Sequence, residues 1–201
     1  KRLLRLVQVA SNPRLVDESY TAKPGKFGKL HELVQSAVVA GDKIIVWTSF
    51  VDNADWLAAE LASFGSVVVH GRTNIDTRNA AIHAFKHDPT ITVLVATPGA
   101  AKEGLTLTVA NHAVFYDRSF SLDDSLQAQD RIHRISQKQI CYVWNLIGEN
   151  SIDEWVDALL GAKRLAARLA QSDISAADYA RSANYDFGRL IAEILKGENN
   201  G

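Results

Sequence analysis

Cysteine is almost missing from this chain: Cys141 is the one thiol in 201 residues. An internal disulfide is therefore excluded, and so is a metal site built on paired cysteines. A reducing, intracellular setting fits that usage, cytoplasmic if the source is microbial and nuclear if it is eukaryotic. Methionine is absent altogether, an initiator included, so the chain reads as a piece excised from something longer. No run of eighteen apolar residues exists, and no membrane partner is expected. No secretory signal opens the chain either. Lys1-Arg2-Leu3-Leu4 is basic then apolar, but the apolar stretch stops at once. Neither sign of charge dominates: 22 Lys and Arg face 23 Asp and Glu, a net charge of −1. That balance exerts no global pull toward nucleic acid. Repeats and low-complexity tracts are missing as well. So is any G-x-x-x-x-G-K-[ST] phosphate loop, and no acidic pair follows a strand where a metal–nucleotide site would want one. Asp123-Asp124 opens a helix and reads as a partner for its dipole. By itself the chain lacks the parts that hold a nucleotide's phosphates and magnesium.

What is present is globular composition, 47% hydrophobic and 22% charged, enough apolar surface to offset ordering entropy over most of the length. Length suits one domain with a small appendage. Short apolar runs at 43–48, 66–70, 92–97, 113–117 and 140–147 predict five strands, apolar on both faces as a helix-covered parallel sheet requires. Helical spacing fills the intervals: 27–40, 51–64, 74–87 and 122–135. Leu3 to Val9 predicts a short helix that Ser11-Asn12-Pro13 ends, and the polar stretch 17–28 reads as a linker. From Ser151 strands stop. A helix through Trp155, Val156, Leu159, Leu160, Leu165 and Leu169 is followed, after Ser172-Asp173, by a mostly helical stretch to Leu195. Strand–helix alternation with short connections is the α/β doubly wound pattern. Two local basic clusters offset the neutral total. Residues 1–30 hold seven Lys and Arg against Asp17 and Glu18, and Arg131, His133, Arg134 and Lys138 form the second. Either can be plain solvated surface.

In an open α/β sheet, ligands bind beyond the carboxyl ends of the strands. Three loops with unusual residues are expected to leave such ends. Thr97 to Thr108 is rich in small residues that let a ligand approach the backbone, and Thr97, Lys102 and Thr106 can serve phosphate or sugar oxygens. The alternative is a strand–loop crossover that needs glycine geometry. Gln127 to Gln137 holds Arg131 and Arg134, three apart and so on one face if helical. Two converging guanidiniums suit a phosphate. The alternative is a charged face with Asp130 as local partner. His70-Gly71-Arg72, leading to Arg78, can present backbone N–H groups and arginines to a phosphate, or can be an ordinary helix cap. His31, His83, His87 and His112 read as surface or cap residues, and Cys141 as inert core.

These residues, in this order, resemble the second RecA-like lobe of superfamily-two helicases, and most of all the Swi/Snf-type DNA translocases. Lys43 to Phe50 looks like motif IV. His70-Gly71 with Arg78, Ile82 and Phe85 looks like the block that follows. Thr97 to Asp117 looks like motif V, and Gln127 to Gln137 like motif VI, the most specific match. Asn12-Pro13 and Lys29-Leu30 sit where the lead-in segment of the family would place them. The likeness covers about residues 3–160. Departures are Ile135-Ser136-Gln137 where the family has Ile-Gly-Gln, Ala100-Ala101 in place of paired glycines, and Thr106 in place of Asn. They point to a divergent, microbial branch.

The resemblance implies a RecA-like, mainly parallel sheet with helices on both faces plus a C-terminal helical extension. Its parts would be a basic lead-in helix and linker from a first lobe over 1–24, the second lobe over 25–158, and the extension over 159–201. It implies ATP and Mg²⁺, bound mainly by a first RecA-like lobe of the same parent chain, and a double-stranded DNA partner gripped by its backbone. Arg131 and Arg134 would be arginine fingers, with Gln127, Gly104 and Thr106 beside the nucleotide. Ser49, Phe50, Gly71, Arg78, Thr97 and Lys102 would contact nucleic acid. A helicase-like binding or regulatory module without hydrolysis, and an unrelated nucleotide-binding or transferase domain, are the competing readings.

Overall fold

The computed structural model describes residues 2–101, 106–134, 137–175 and 177–178. Five strands form one sheet: β1 (Ile44–Trp47), β2 (Ser66–Val69), β3 (Val93–Ala96), β4 (His112–Phe115) and β5 (Tyr142–Asn145). Their spatial order is β2-β3-β1-β4-β5, and every pairing is parallel. All five were expected from apolar runs alone, and each regular segment is shorter than its run.

Side chains alternate across a strand, so β1 feeds two cores. Ile45 and Trp47 join Leu94, Ala96, Ala113 and Phe115 on one face. Helices α4 (Ile75–His87) and α5 (Leu122–Gln129) cover that face through Ile82, Phe85 and Ala128. Ile44 and Val46 join Val93, Val95 and Val114 on the other. There α2 (Gly25–Val39) contributes Phe27, Leu30, Val34 and Ala37, and α3 (Val51–Glu60) contributes Ala54 and Leu57. Leu30, Val34 and Leu57 are fully buried, each worth about 1.5–3 kcal/mol relative to exposure.

Helix starts follow their local chemistry. The Asn74 side chain accepts from Thr77 N, Ser121 from Asp124 N and Ser151 from Asp153 N, each satisfying an orphan donor. Asp123 and Asp124 lie in the first turn of α5, where carboxylates favour the dipole. At the far end of α4, Lys43 Nζ donates to the carbonyls of Phe85, Asp88 and Ile91 at 2.7–2.8 Å. That ammonium closes a helix end by charge-assisted bonds, while burial pushes its pKa below the usual lysine range. Gly65 turns the chain into β2 at φ +70°, and a Cβ there would collide with the Thr90 carbonyl.

Two expectations are corrected. β5 is exposed along its whole length, with Tyr142 43%, Val143 40% and Trp144 40% accessible. It is the last strand of the sheet, and among the described residues no helix covers it as α2 and α4 cover the centre. The stretch 17–28 is not all linker, because α2 already begins at Gly25 and buries Lys26 and Phe27. The helix expected over 174–195 lies outside the described residues, apart from positions 174, 175, 177 and 178.

A third core joins the lead-in helix to the helix that follows the sheet. Val7 of α1 (Arg2–Ser11) meets Ile152, Val156 and Leu160 of α6 (Ile152–Ala170), with Phe50, Phe120 and Trp155 packed around them. Helix α6 runs unbroken through residues 158 and 159. It is pinned to the lobe by polar contacts: Lys26 Nζ to Asp153 Oδ2 at 2.8 Å, Arg118 to Asp157 at 2.7 Å, and Lys163 Nζ to the Phe120 carbonyl at 2.6 Å.

Lys26 and Asp153 are 8% and 7% exposed. Removing one partner strands a buried charge. Asp153→Ala is expected to lower unfolding free energy by about 3 kcal/mol, read from urea denaturation at neutral pH. Lys26→Met/Asp153→Ala should recover part of it. A single-variant loss below about 1 kcal/mol would mean the pair behaves as a surface bridge.

Candidate nucleotide and nucleic-acid site

The expected site residues fall into two groups. Ser49, Phe50, Gly71 and Thr97 follow the carboxyl ends of β1, β2 and β3, so the parallel sheet collects them at one edge. Thr106, Arg131 and Arg134 belong to the face covered by α4 and α5. Their neighbours Leu107 and Ile132 are almost completely buried in that core. Lys102 and Gly104 lie outside the described residues.

At the strand ends, Thr97 is 7% exposed and donates its backbone N–H to the Val69 carbonyl at 3.1 Å. Arg78, in the first turns of α4, donates from Nη2 to the Ala100 carbonyl at 2.6 Å. It therefore links α4 to the loop after β3. Gly71 is exposed, and a Cβ there would meet nothing within 4 Å. Next to it, Arg72 bonds Asp52 at 2.6 Å and His70 Nε2 meets Asp55 at 2.9 Å. The Asp52 bond and charge raise the Arg72 pKa. Those two contacts hold the β2–α4 loop on α3. Phe50 is partly buried in the core that α1 and α6 share, so its ring serves packing in this conformation.

The loop after β1 is tied by Asp117, which is 3% exposed. Asp117 Oδ1 accepts from Ser49 N at 2.7 Å, and Oδ2 accepts from Thr48 Oγ1 at 2.5 Å and Ser11 Oγ at 2.6 Å. Asn53 Nδ2 donates to Ser11 Oγ and Thr48 Oγ1, both at 3.1 Å, and Asn53 Oδ1 accepts from Asn12 Nδ2 at 3.0 Å. The Ser49 hydroxyl itself is buried without a hydrogen-bond partner.

The arginine pair departs from the helical expectation. α5 ends at Gln129, so Arg131 and Arg134 do not share a helix face, and the segment follows a helix rather than a strand end. Tertiary contact overrides the pattern. Leu107 N donates to the Arg131 carbonyl at 3.1 Å, and Ile132 must reach the core. Arg131 is 8% exposed. Burial lowers its pKa, the Arg134 charge lowers it further, and Asp130 opposes both. An arginine still stays charged. Arg134 donates from Nε to the Asp130 carbonyl and from Nη1 to Thr106 Oγ1, both at 3.0 Å. Thr106, Arg131 and Arg134 are thus brought together. Gln127 is exposed on α5.

Sequence reasoning missed the residues that hold this junction. Gln137 Nε2 donates to the carbonyls of Thr108, Ala110 and Ile132 at 3.0–3.3 Å, and Oε1 accepts from the backbone N–H of Lys138 and Gln139. One amide clips the segment after α5 to the segment before β4. Gln137 stood in the quoted motif, but nothing in its type or spacing announced a structural task. Asp117, Ser11 and Asn53 were likewise unsigned, because their partners are far away in sequence. Gln137→Ala should cost about 2 kcal/mol and speed amide exchange at Lys138 and Gln139. Unchanged exchange there would show that the clip is dispensable.

Comparison with known proteins adds the following. The model for the helicase conserved C-terminal domain matches residues 25–136. The chain is 31% identical to the ATP-dependent helicase fft2 of Schizosaccharomyces pombe over 192 residues, 92% of this chain and 14% of that protein. It is similar to the Sulfolobus solfataricus SWI2/SNF2 ATPase core solved in complex with dsDNA, at 28% identity and a TM-score of 0.69, over 91% of this chain and 39% of that one. It is also similar to the C-terminal part of the Fun30 ATPase domain, at 25% identity and a TM-score of 0.66, over 78% of this chain and 54% of that one. The chain spans 14% to 24% of the length of the first curated relatives.

Proposed function

The chain belongs to the helicase conserved C-terminal domain family, in its Swi2/Snf2 branch, and from that premise we propose that it works as the second lobe of an ATP-driven DNA motor. ATP would be shared with a first lobe that brings the phosphate loop and the acids for Mg²⁺. Arg131 and Arg134 would hold the phosphate oxygens across the cleft as arginine fingers, with Thr106 and Gln127 beside them. ATP, when bound, supplies the phosphoryl group whose hydrolysis powers the motor. Ser49, Gly71, Arg78 and Thr97 would face the DNA backbone, a sequence-independent contact. Lobe opening and closing would then step the protein along duplex DNA.

The observation that carries this reading is the Arg134–Thr106 hydrogen bond at 3.0 Å, with the Arg131 carbonyl on Leu107 N. It ties the Arg134 guanidinium and the Arg131 backbone to the segment that leads from β3 to β4, and two neighbouring arginines suit a polyanion. The lead-in helix, the lobe and the extension would be 1–24, 25–158 and 159–201, with α6 bridging the last two.

The test is DNA-stimulated ATP hydrolysis by the longer protein that carries both lobes. Arg131→Ala or Arg134→Ala should cut turnover by about 10³-fold or more while ATP binding survives. Residues 1–201 alone should hydrolyse no ATP above background, because half the site is elsewhere. Robust hydrolysis by the isolated chain would overturn the shared-site reading. A two-lobed protein that never hydrolyses ATP would make this a binding or regulatory module.

A further inference from the structure

We propose that Asp117 is a positioning residue that couples the chain entering the lobe, through Ser11, to the Ser49–Phe50 loop. The proposal rests on the reading above, in which that loop faces DNA.

Three stretches far apart in sequence meet at this carboxylate. Ser11 is the last residue of α1, Thr48 and Ser49 follow β1, and Asp117 follows β4. Ser11, Thr48 and Asn53 are 0% exposed, Asn12 2% and Asp117 3%. An ionised carboxylate only accepts hydrogen bonds, and the donors that reach this one are two hydroxyls, a backbone N–H and, at 3.5 Å, Asn53 Nδ2. Asn53 then closes the ring by donating to both hydroxyls. A buried polar set satisfied in this way favours one arrangement, because each broken contact weakens the pairing of groups that water does not reach.

Two further features give the ring a direction. Elsewhere α1 holds the lobe by apolar contacts, with Val7 and Ala10 against α6, and these permit sliding. Leu3, Leu4, Leu6 and Val9 are 44–51% exposed. Ser11 and Asn12 are therefore the points where α1 is locked in register. On the other side of the ring, Ser49 gives its N–H inward to Asp117 while its hydroxyl is buried and unpartnered. Displacing Ser11 changes what Asp117 can hold, and Asp117 sets where Ser49 stands. Movement of the lead-in thus reaches the strand-end loop by a path of two hydrogen bonds, through one side chain.

Ser11→Ala removes the charge-assisted bond to Asp117 and the acceptor of one Asn53 Nδ2 bond, and leaves both arginines and the side chains of the Ser49 loop unaltered. Thr48 still serves Asp117 Oδ2, so the fold is retained. In the two-lobed protein, DNA-stimulated turnover should fall about tenfold, the scale of one bond to a charged group, while turnover without DNA stays unchanged. Ser11→Thr, which keeps the hydroxyl, should restore it. Equal losses with and without DNA, or no loss, overturn the proposal. Hydrogen exchange on residues 1–201 runs beside it: Ser49 N–H should exchange faster in Ser11→Ala and return to normal in Ser11→Thr. If the unaltered two-lobed protein shows no DNA stimulation, the motor reading fails and this exchange decides the coupling. Unchanged exchange at Ser49 then overturns it.

Discussion

All five strands run in one direction, so the loops leaving their carboxyl ends gather at one edge of the sheet. Parallel strands need crossovers, and the crossovers must cover both faces. That constraint makes β1 the buried centre and gives it two cores, one under α2 and α3 and one under α4 and α5. It also separates the two groups of site residues. Ser49, Gly71 and Thr97 stand at the strand-end edge, while Thr106, Arg131 and Arg134 stand on the crossover between β3 and β4 and the segment after α5.

Buried polar groups, more than apolar area, decide how the lead-in helix and the helix that follows the sheet attach. α1 and α6 share only a small apolar core. Their register comes from Ser11 on Asp117, Asp153 on Lys26, and Asp157 on Arg118. A buried ion pair contributes little net stability against an apolar substitute, but it penalises every misalignment. The same logic governs Gln137, whose amide uses five contacts to hold the segment before β4 and the segment after α5.

Legibility in the sequence tracks the range of the cause. Strands β1 to β5 and helices α2 to α6 show in the local pattern, because alternation, helical spacing and the caps Asn74, Ser121 and Ser151 act within a few residues. The end of α5 does not. Periodicity carries it to Ile135, and the demand of Leu107 for the Arg131 carbonyl stops it at Gln129. β5 reads as core because its residues are apolar, and only its place at the end of the sheet exposes it. In the candidate site, Arg131, Arg134 and Thr106 stand in the sequence as members of motifs in a fixed order. Their mutual contact does not, because the bond spans 28 positions.

Residue order by itself determined the class of fold, the parallel sheet, the helix starts, and the likeness to the second lobe of Swi/Snf-type motors. These are consequences of local propensity and of motif order, and both are written along the chain. Tertiary structure alone decided which strand is exposed, where α5 stops, that Arg131 is buried, and that Ser11, Thr48, Ser49 and Asp117 form one ring. Each of those depends on groups brought together from distant positions, where the cost of leaving a polar atom buried and unpaired outweighs any local preference.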